Sequence, residues 1–247
     1  MHLQFITPSV YLGPANPNPQ RAQLILTHFD LSNPRGRVLT RLDFLWNDHS
    51  YFRLVYQNDH WLSDELVRTS QPWPFQLKQW RDRKGIKTVI NLRGGFDASF
   101  FALEKHACEQ LGLTLVNHTA TSRDVPSAEQ VIAARDMFDS IEYPALMHCK
   151  SGADRAGIMS VLYCHFRLGQ PIRQAVKQLS PFYLHTKAGK TGVLDYIFER
   201  YLTEAEPEGI SFFDWTQSPE YDPVKIKADF KAQWWGTALT EGLLRRE

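Results

Sequence analysis

Cys149 and Arg155 stand six residues apart in the run His148-Cys149-Lys150-Ser151-Gly152-Ala153-Asp154-Arg155-Ala156-Gly157, and no other stretch of this 247-residue chain gathers so many reactive side chains. A cysteine is a nucleophile as its thiolate, so its surroundings decide whether it reacts. Ala145–Met147, just before it, is a short apolar run that suits a buried strand. From Ile158 onward the sequence IMSVLYCHF is apolar on nearly every side, which suits a buried helix. A strand, a tight loop and a helix N-terminus make an anion site, because successive backbone N–H groups turn inward and the positive end of the helix dipole adds to the field. Such a field does two jobs. It lowers the cysteine pKa from about 8.5 into the range of about 3.5 to 7.5, and it holds a dianionic phosphoryl group against the sulfur. Arg155 supplies a planar fork for two phosphate oxygens, a geometry that lysine does not match. Gly152 permits a positive φ and close backbone approach. The competing reading is a structural cysteine at a helix start. It leaves Lys150, Asp154 and Arg155 crowded at one turn without a reason.

Attack of a thiolate on a phosphate ester needs an acid for the leaving oxygen, and that acid must come from another loop, across the phosphate. The segment Thr121-Ser122-Arg123-Asp124-Val125-Pro126 lies between an expected strand and a capped helix, which makes Asp124 the first choice. Asp97 is a weaker rival, and Asp154 is a third carboxylate, inside the loop itself.

The elements that must carry these residues alternate. The sequence predicts strands at Leu66–Arg68, Ile86–Leu92, Leu113–Val116 and Ala145–Met147. It predicts helices over Phe75–Gly85 with Gly85 as the stop, over 97–112 closed by Gly112, and from the capping box Ser127-x-x-Gln130 to Ile141. A helix from Arg155 to about Leu168 follows the loop. Thr69–Pro72 reads as a turn and helix start. Alternation of this kind argues an α/β domain with a central, mostly parallel sheet flanked by helices, and with the site at the carboxyl end of a strand. Beyond the loop, helices are expected over Ile172–Leu179, Thr191–Tyr201 and Val224–Trp235. Residues 1–40 are rich in Pro, Asn and Gly and read as irregular. Residues 41–60 are aromatic, with room for one short helix. Residues 205–223 read as a linker anchored by Phe212, Phe213 and Trp215.

Composition sets the bounds. Hydrophobic residues make up 43% and aromatic residues 13%, enough for a real core in one domain with extensions. A net charge of +1 argues against nucleic-acid binding driven by bulk charge. The three cysteines, Cys108, Cys149 and Cys164, form no disulfide framework, and a reactive thiolate suits a reducing compartment. No signal peptide and no transmembrane span are expected, so a cytoplasmic location is the default. His49 and His60 each follow an Asp, yet no partner falls at ligand spacing, so neither a metal nor a cofactor is expected. The basic loop His185–Thr191 reads as solvated, or else as a flank of the cleft through Lys187 and Lys190.

The spacing Cys-x5-Arg, with His148 before it and Ala-Gly after it, resembles the signature loop of the cysteine-based protein tyrosine and dual-specificity phosphatases. LVRTSQP (66–72) followed by GIKTVINLR (85–93) resembles the front half of the atypical dual-specificity phosphatases of bacteria, plants and fungi, some of which hydrolyse inositol pyrophosphates. The resemblance covers about residues 50–202. It implies a phosphatase-like fold with a catalytic domain over 46–204 and does not explain the extensions, which are expected as an irregular segment over 1–45 and as a C-terminal linker and helix over 205–247 packed on the domain. It also implies Cys149 as nucleophile, Arg155 and the loop Lys150, Ser151, Gly152, Ala153 and Asp154 as the phosphate cradle, and Asp124 as general acid. His148 would help to keep the sulfur ionised. Asp154 before the Arg resembles the pattern of myotubularin lipid phosphatases and of bacterial phosphatases acting on phosphotyrosine and phosphoinositides. Ala156 departs from the family, which carries a Ser or Thr whose hydroxyl helps the thiolate leave; Ser151 is the substitute at hand. The expected substrate is a phosphorylated protein or a small phosphorylated molecule. Inositol phosphates or phospholipids, and an inactive phosphate-binding module, stay open as alternatives. A rhodanese-like sulfur transferase fits the loop spacing less well.

Overall fold

The computed structural model of the chain describes residues 29–232. Five strands form one sheet: β1 (His60–Trp61), β2 (Leu66–Ser70), β3 (Thr88–Asn91), β4 (Thr114–Asn117) and β5 (Ala145–Cys149). Their spatial order is β1-β2-β5-β3-β4. Only the β1–β2 pairing is antiparallel; β2 and β3 both run parallel to β5 and β4 runs parallel to β3. The strand that ends in Cys149 is therefore the central one, with a neighbour on each side, and all five of its residues are buried.

Side chains alternate across a strand, and here the two faces meet two separate cores. Ala145, Met147 and Cys149 join the larger core, with Leu66 and Ile90. Leu146 joins Val67 and Val89 in the smaller one. Cys149 and His148 thus sit on opposite faces of the sheet. The smaller core is closed by α3 (Pro74–Lys84) and α4 (Ser99–Leu111). The larger is closed by α5 (Ala128–Ser140), α6 (Asp154–Phe166) and α8 (Val193–Glu204). Helix α6 is buried continuously from Ala156 to Cys164, as its lack of a polar face requires. Ser127 and Gln130 cap α5 reciprocally, as expected.

Several elements differ from the sequence expectation. Residues 34–46, expected to lie largely in the irregular extension, form helix α1 (Pro34–Trp46). Asn33 accepts the Gly36 amide at 2.7 Å and Pro34 opens the first turn; Asn-Pro is here a helix start, not a loop signal. A short helix, α2 (Phe52–Val55), precedes β1. Strand β2 runs through Thr69 and Ser70, because these pair with His148 and Cys149. Helix α7 (Ile172–Ala175) is shorter than expected and continues as a 3-10 turn over Val176–Gln178. Helix α8 begins at Val193 and runs three residues past Tyr201. The expected linker holds α9 (Phe212–Gln217), capped by Ser211. Helix α10 covers 223–232; the rest of its expected span, like residues 1–28 of the extension, lies outside the described residues.

Helix α9 is docked by its aromatic residues. Phe212 is 1% exposed and meets the rings of His165, Phe166, Phe198, Tyr201 and Trp215. Truncating a side chain of this size in a packed core costs about 3–5 kcal/mol. Phe212→Ala is expected to lower unfolding stability by that amount in urea titration, whereas a true linker would show less than about 0.5 kcal/mol.

Candidate active site

Between β5 and α6 the chain makes a loop whose carbonyls face backward. Arg68 on β2, wholly buried, donates from Nη2 to the carbonyls of Gly152 at 2.7 Å and Ala153 at 2.9 Å. From Nη1 it donates to the carbonyl and side chain of Gln178, at 2.9 and 3.1 Å. Its guanidinium lies 4.4 Å from the Tyr183 ring centre. In a trans peptide the C=O and the next N–H point in opposite directions. Arg68 therefore turns the amides of Ala153 and Asp154 away from itself. Among the described residues, the backbone amides of 151–155 find no protein acceptor. Five adjacent unpaired donors at the start of a 13-residue helix are an anion cradle.

Gly152 makes the cradle sterically feasible. Its φ is +73°, and a Cβ there would lie 2.8 Å from the Ser70 amide nitrogen and from the Thr69 carbonyl carbon. The loop presses on β2 too closely for any side chain. Asn58 ties it further, donating to the Ser151 and Tyr183 carbonyls at 3.0 and 3.1 Å.

Cys149 is 2% exposed at the end of the central strand. Burial opposes the Arg68 charge and pushes its pKa down to about 10, and the strongest opposing influence is Cys149. Burial pushes the other two thiols up, Cys164 to about 11. Arg155 is half-buried on the first turn of α6, and its one hydrogen bond among the described residues is a long one, 3.4 Å from Nη1 to the Arg93 carbonyl. Most of its fork is free.

Arg155 and Asp124 line the same open cleft, together with Ala120, Thr121, Ser122, Arg123 and Lys227. Asp124 is held on both carboxylate oxygens: Oδ1 accepts the Val125 amide at 3.1 Å and Oδ2 accepts Lys227 Nζ at 2.6 Å. Asp97 is exposed and is not among the cleft residues. Asp154 is engaged elsewhere. His185, 1% exposed, bonds Asp154 at 2.7 Å through Nδ1 and Asp195 at 2.7 Å through Nε2. That arrangement ties the loop to α8. His148 lies across the sheet, 2.6 Å from the Glu104 carboxylate, with both side chains buried.

Lys150 and Lys187, expected at the cleft rim, turn to carboxylates. Lys187 pairs with Glu199 at 2.7 Å. Lys150 lies 3.4 Å from Asp48, which also holds Arg53 and, at 2.6 Å, Arg93. Burial alone would raise the Asp48 pKa; Arg93, Arg53 and Lys150 outweigh it and hold the group below its ordinary value. Ser151 is exposed, and Ala156 is fully buried. His60 bonds Asn58 at 3.1 Å, and His49 packs beside Tyr51. Among the described residues no three His, Cys, Asp or Glu side chains assemble as a metal-binding group.

The sequence reading missed Arg68, Asp48, Glu104, His185 and Lys227. Arg68 had a signal: an arginine inside an otherwise apolar strand must be satisfied by something. His185 was read with its basic neighbours, although Asp195 stands one element further on. Lys227 had none, for it is one lysine of a polar helix.

A strand-end cysteine lies beneath an amide-lined loop, with an arginine on the following helix, and the segment that holds these parts is similar to the cysteine-dependent phosphatases of the dual-specificity class. Residues 63–179 match the family PTP-NADK, described as a DSP-PTPase phosphatase fused to NAD+ kinase. No curated protein matches the chain. Among solved structures, TpbA of P. aeruginosa superposes with a TM-score of 0.47 and 19% identity, over 64% of this chain and 89% of its own. PTPMT1 in complex with PI(5)P gives 0.46 and 12%, over 60% and 98%. The core catalytic domain of the PP-IP phosphatase SIW14 from S. cerevisiae gives 0.44 and 16%, over 57% and 85%.

Two expectations follow from the cradle. Arg68→Lys keeps the charge but cannot bridge two carbonyls and Gln178, so the loop loses its orientation. Phosphate affinity, measured by titration calorimetry, is expected to fall at least tenfold; an unchanged affinity would reduce Arg68 to packing. His185 is driven down by burial and up, more strongly, by its bonds to Asp154 and Asp195, to about 9. Its folded pKa thus exceeds the unfolded value of about 6.5. The stabilisation is full below about pH 6.5 and is lost as pH rises through 9. The stability gap between wild type and His185→Asn, from urea unfolding, is expected to be widest at about pH 6 and to narrow towards about pH 9.5.

Proposed function

We propose that this protein hydrolyses phosphate monoesters through a phosphocysteine at Cys149. The observation that carries this reading is the set of unpaired amides at 151–155, held open by Arg68 next to a cysteine and an arginine with a largely free fork. In the first step the Cys149 thiolate attacks phosphorus, the P–O bond to the leaving group breaks, and Asp124 gives its proton to the leaving oxygen. The 151–155 amides and Arg155 take the charge that develops on the three equatorial oxygens. In the second step Asp124 accepts a proton from water, which attacks phosphorus and releases the thiolate. Ala156 supplies no hydroxyl to that departure, so the second step rests on Asp124. His148, fixed by Glu104 across the sheet, holds the end of β5 in place.

The shared cleft of Asp124 and Arg155 supports an enzyme over an inactive phosphate-binding module. Phosphorylated protein side chains, tyrosine among them, are the first substrate class. They fit an open cleft that admits a large leaving group, and TpbA has been solved with phosphotyrosine. The cations of the cleft favour a second reading, a small molecule with several phosphates. Buried, unpaired thiols support a reducing compartment, and among the described residues no helix is long and apolar enough to cross a membrane.

para-Nitrophenyl phosphate is the assay. Cys149→Ser is expected to abolish its hydrolysis while inorganic phosphate still binds. Asp124→Ala is expected to lower kcat on an alkyl phosphate by about 10²–10⁴ with little change in binding. Undiminished hydrolysis by Cys149→Ser overturns the reading.

A further inference from the structure

The cleft is charged unevenly. Among the described residues that line it, Arg123, Arg155 and Lys227 are cations and Asp124 is the single carboxylate, in a chain whose net charge is only +1. One phosphoryl group is already met by Arg155 and the loop amides. Arg123 and Lys227 are surplus to it. Arg123 is exposed and has no partner among the described residues. Lys227 comes from α10, beyond the matched segment 63–179, so it belongs to this chain's own extension.

Position says what these cations read. Lys227 Nζ is 2.6 Å from Asp124 Oδ2. An acid must stand within hydrogen-bond reach of the oxygen it protonates, about 2.6–3.2 Å, which puts that oxygen within about 6 Å of the ammonium. Lys227 therefore faces the part of the substrate that departs, not the phosphoryl group that is transferred. Arg123, next to Asp124 in the chain, sits on the same rim.

We infer that Arg123 and Lys227 form a second anion subsite, built for a leaving group that carries its own phosphate beside the scissile oxygen. The inference rests on the phosphatase reading above and adds the class of leaving group. It also gives the ion pair a function. Both oxygens of Asp124 are occupied in the free protein, so the acid is not presented. A second phosphate draws Lys227 away and leaves Oδ2 free, so the acid is presented more readily to such a substrate than to a leaving group that must break the ion pair unaided.

Binding to the Cys149→Ser protein tests this without any turnover. The probes are soluble inositol 4,5-bisphosphate, with adjacent phosphates, and inositol 4-phosphate, titrated by calorimetry. The bisphosphate is expected to bind at least tenfold more tightly. Adding Lys227→Gln or Arg123→Gln is expected to reduce that ratio at least fivefold each, and the monophosphate serves as the check on folding. The same headgroups on phosphatidylcholine vesicles distinguish sources: selectivity in solution identifies a free ligand, and selectivity confined to vesicles a lipid headgroup. A ratio near one in both settings, or a ratio that neither variant alters, overturns the subsite. Hydrolysis of para-nitrophenyl phosphate by wild type but not by Cys149→Ser would leave the phosphatase reading standing in that event.

Discussion

A single buried cation organises the active loop. Arg68 has lost its water completely, and burying an unpaired charge is prohibitive. It is tolerated because two loop carbonyls, Gln178 and the face of Tyr183 surround it. The same bonds dictate which way the loop's peptides face. Orientation of the anion cradle is thus a by-product of solvating Arg68, and neither can change alone. Gly152 belongs to this constraint, since only a residue without a side chain lets the loop come close enough to β2.

The segments outside the family match reach the site from both sides. Before it, Asp48 gathers Arg53 and Arg93 into a buried cluster and reaches the more exposed Lys150 at its edge. After it, α10 brings Lys227 to Asp124. The candidate site is therefore built from more than the matched segment, and its electrostatics are set partly by chain that the match does not include. Lys150 illustrates the point. In sequence it is a basic residue beside a nucleophile; in the fold its charge is answered by a carboxylate a hundred residues upstream.

How much of this was legible depends on the range of the forces involved. The sheet, the helices around it and the strand–loop–helix frame of Cys149 could be read because period, caps and glycine stops are local. The capping box at Ser127 and the stop at Gly112 appear as written. Helix α1 escapes the same reading for a local reason too: abundant Pro, Asn and Gly mark 1–40 as irregular, yet Asn33 is the cap and Pro34 the first turn. The partners of the site residues were beyond reach. Asp154 with His185, His148 with Glu104 and Asp124 with Lys227 are pairs formed by packing. No spacing rule connects them. Only Arg68 announced itself, by being charged in a strand that had to be buried.

Tyr221 donates its hydroxyl to the Pro126 carbonyl at 2.6 Å, while Thr121 closes the other end of the same loop onto the Asp124 carbonyl at 3.0 Å. Asp124 therefore stands on a ledge pinned at both ends. For the proton donor proposed above, such a ledge leaves the turning of a side chain, a motion of picoseconds to nanoseconds, in place of the slower swing of a backbone flap.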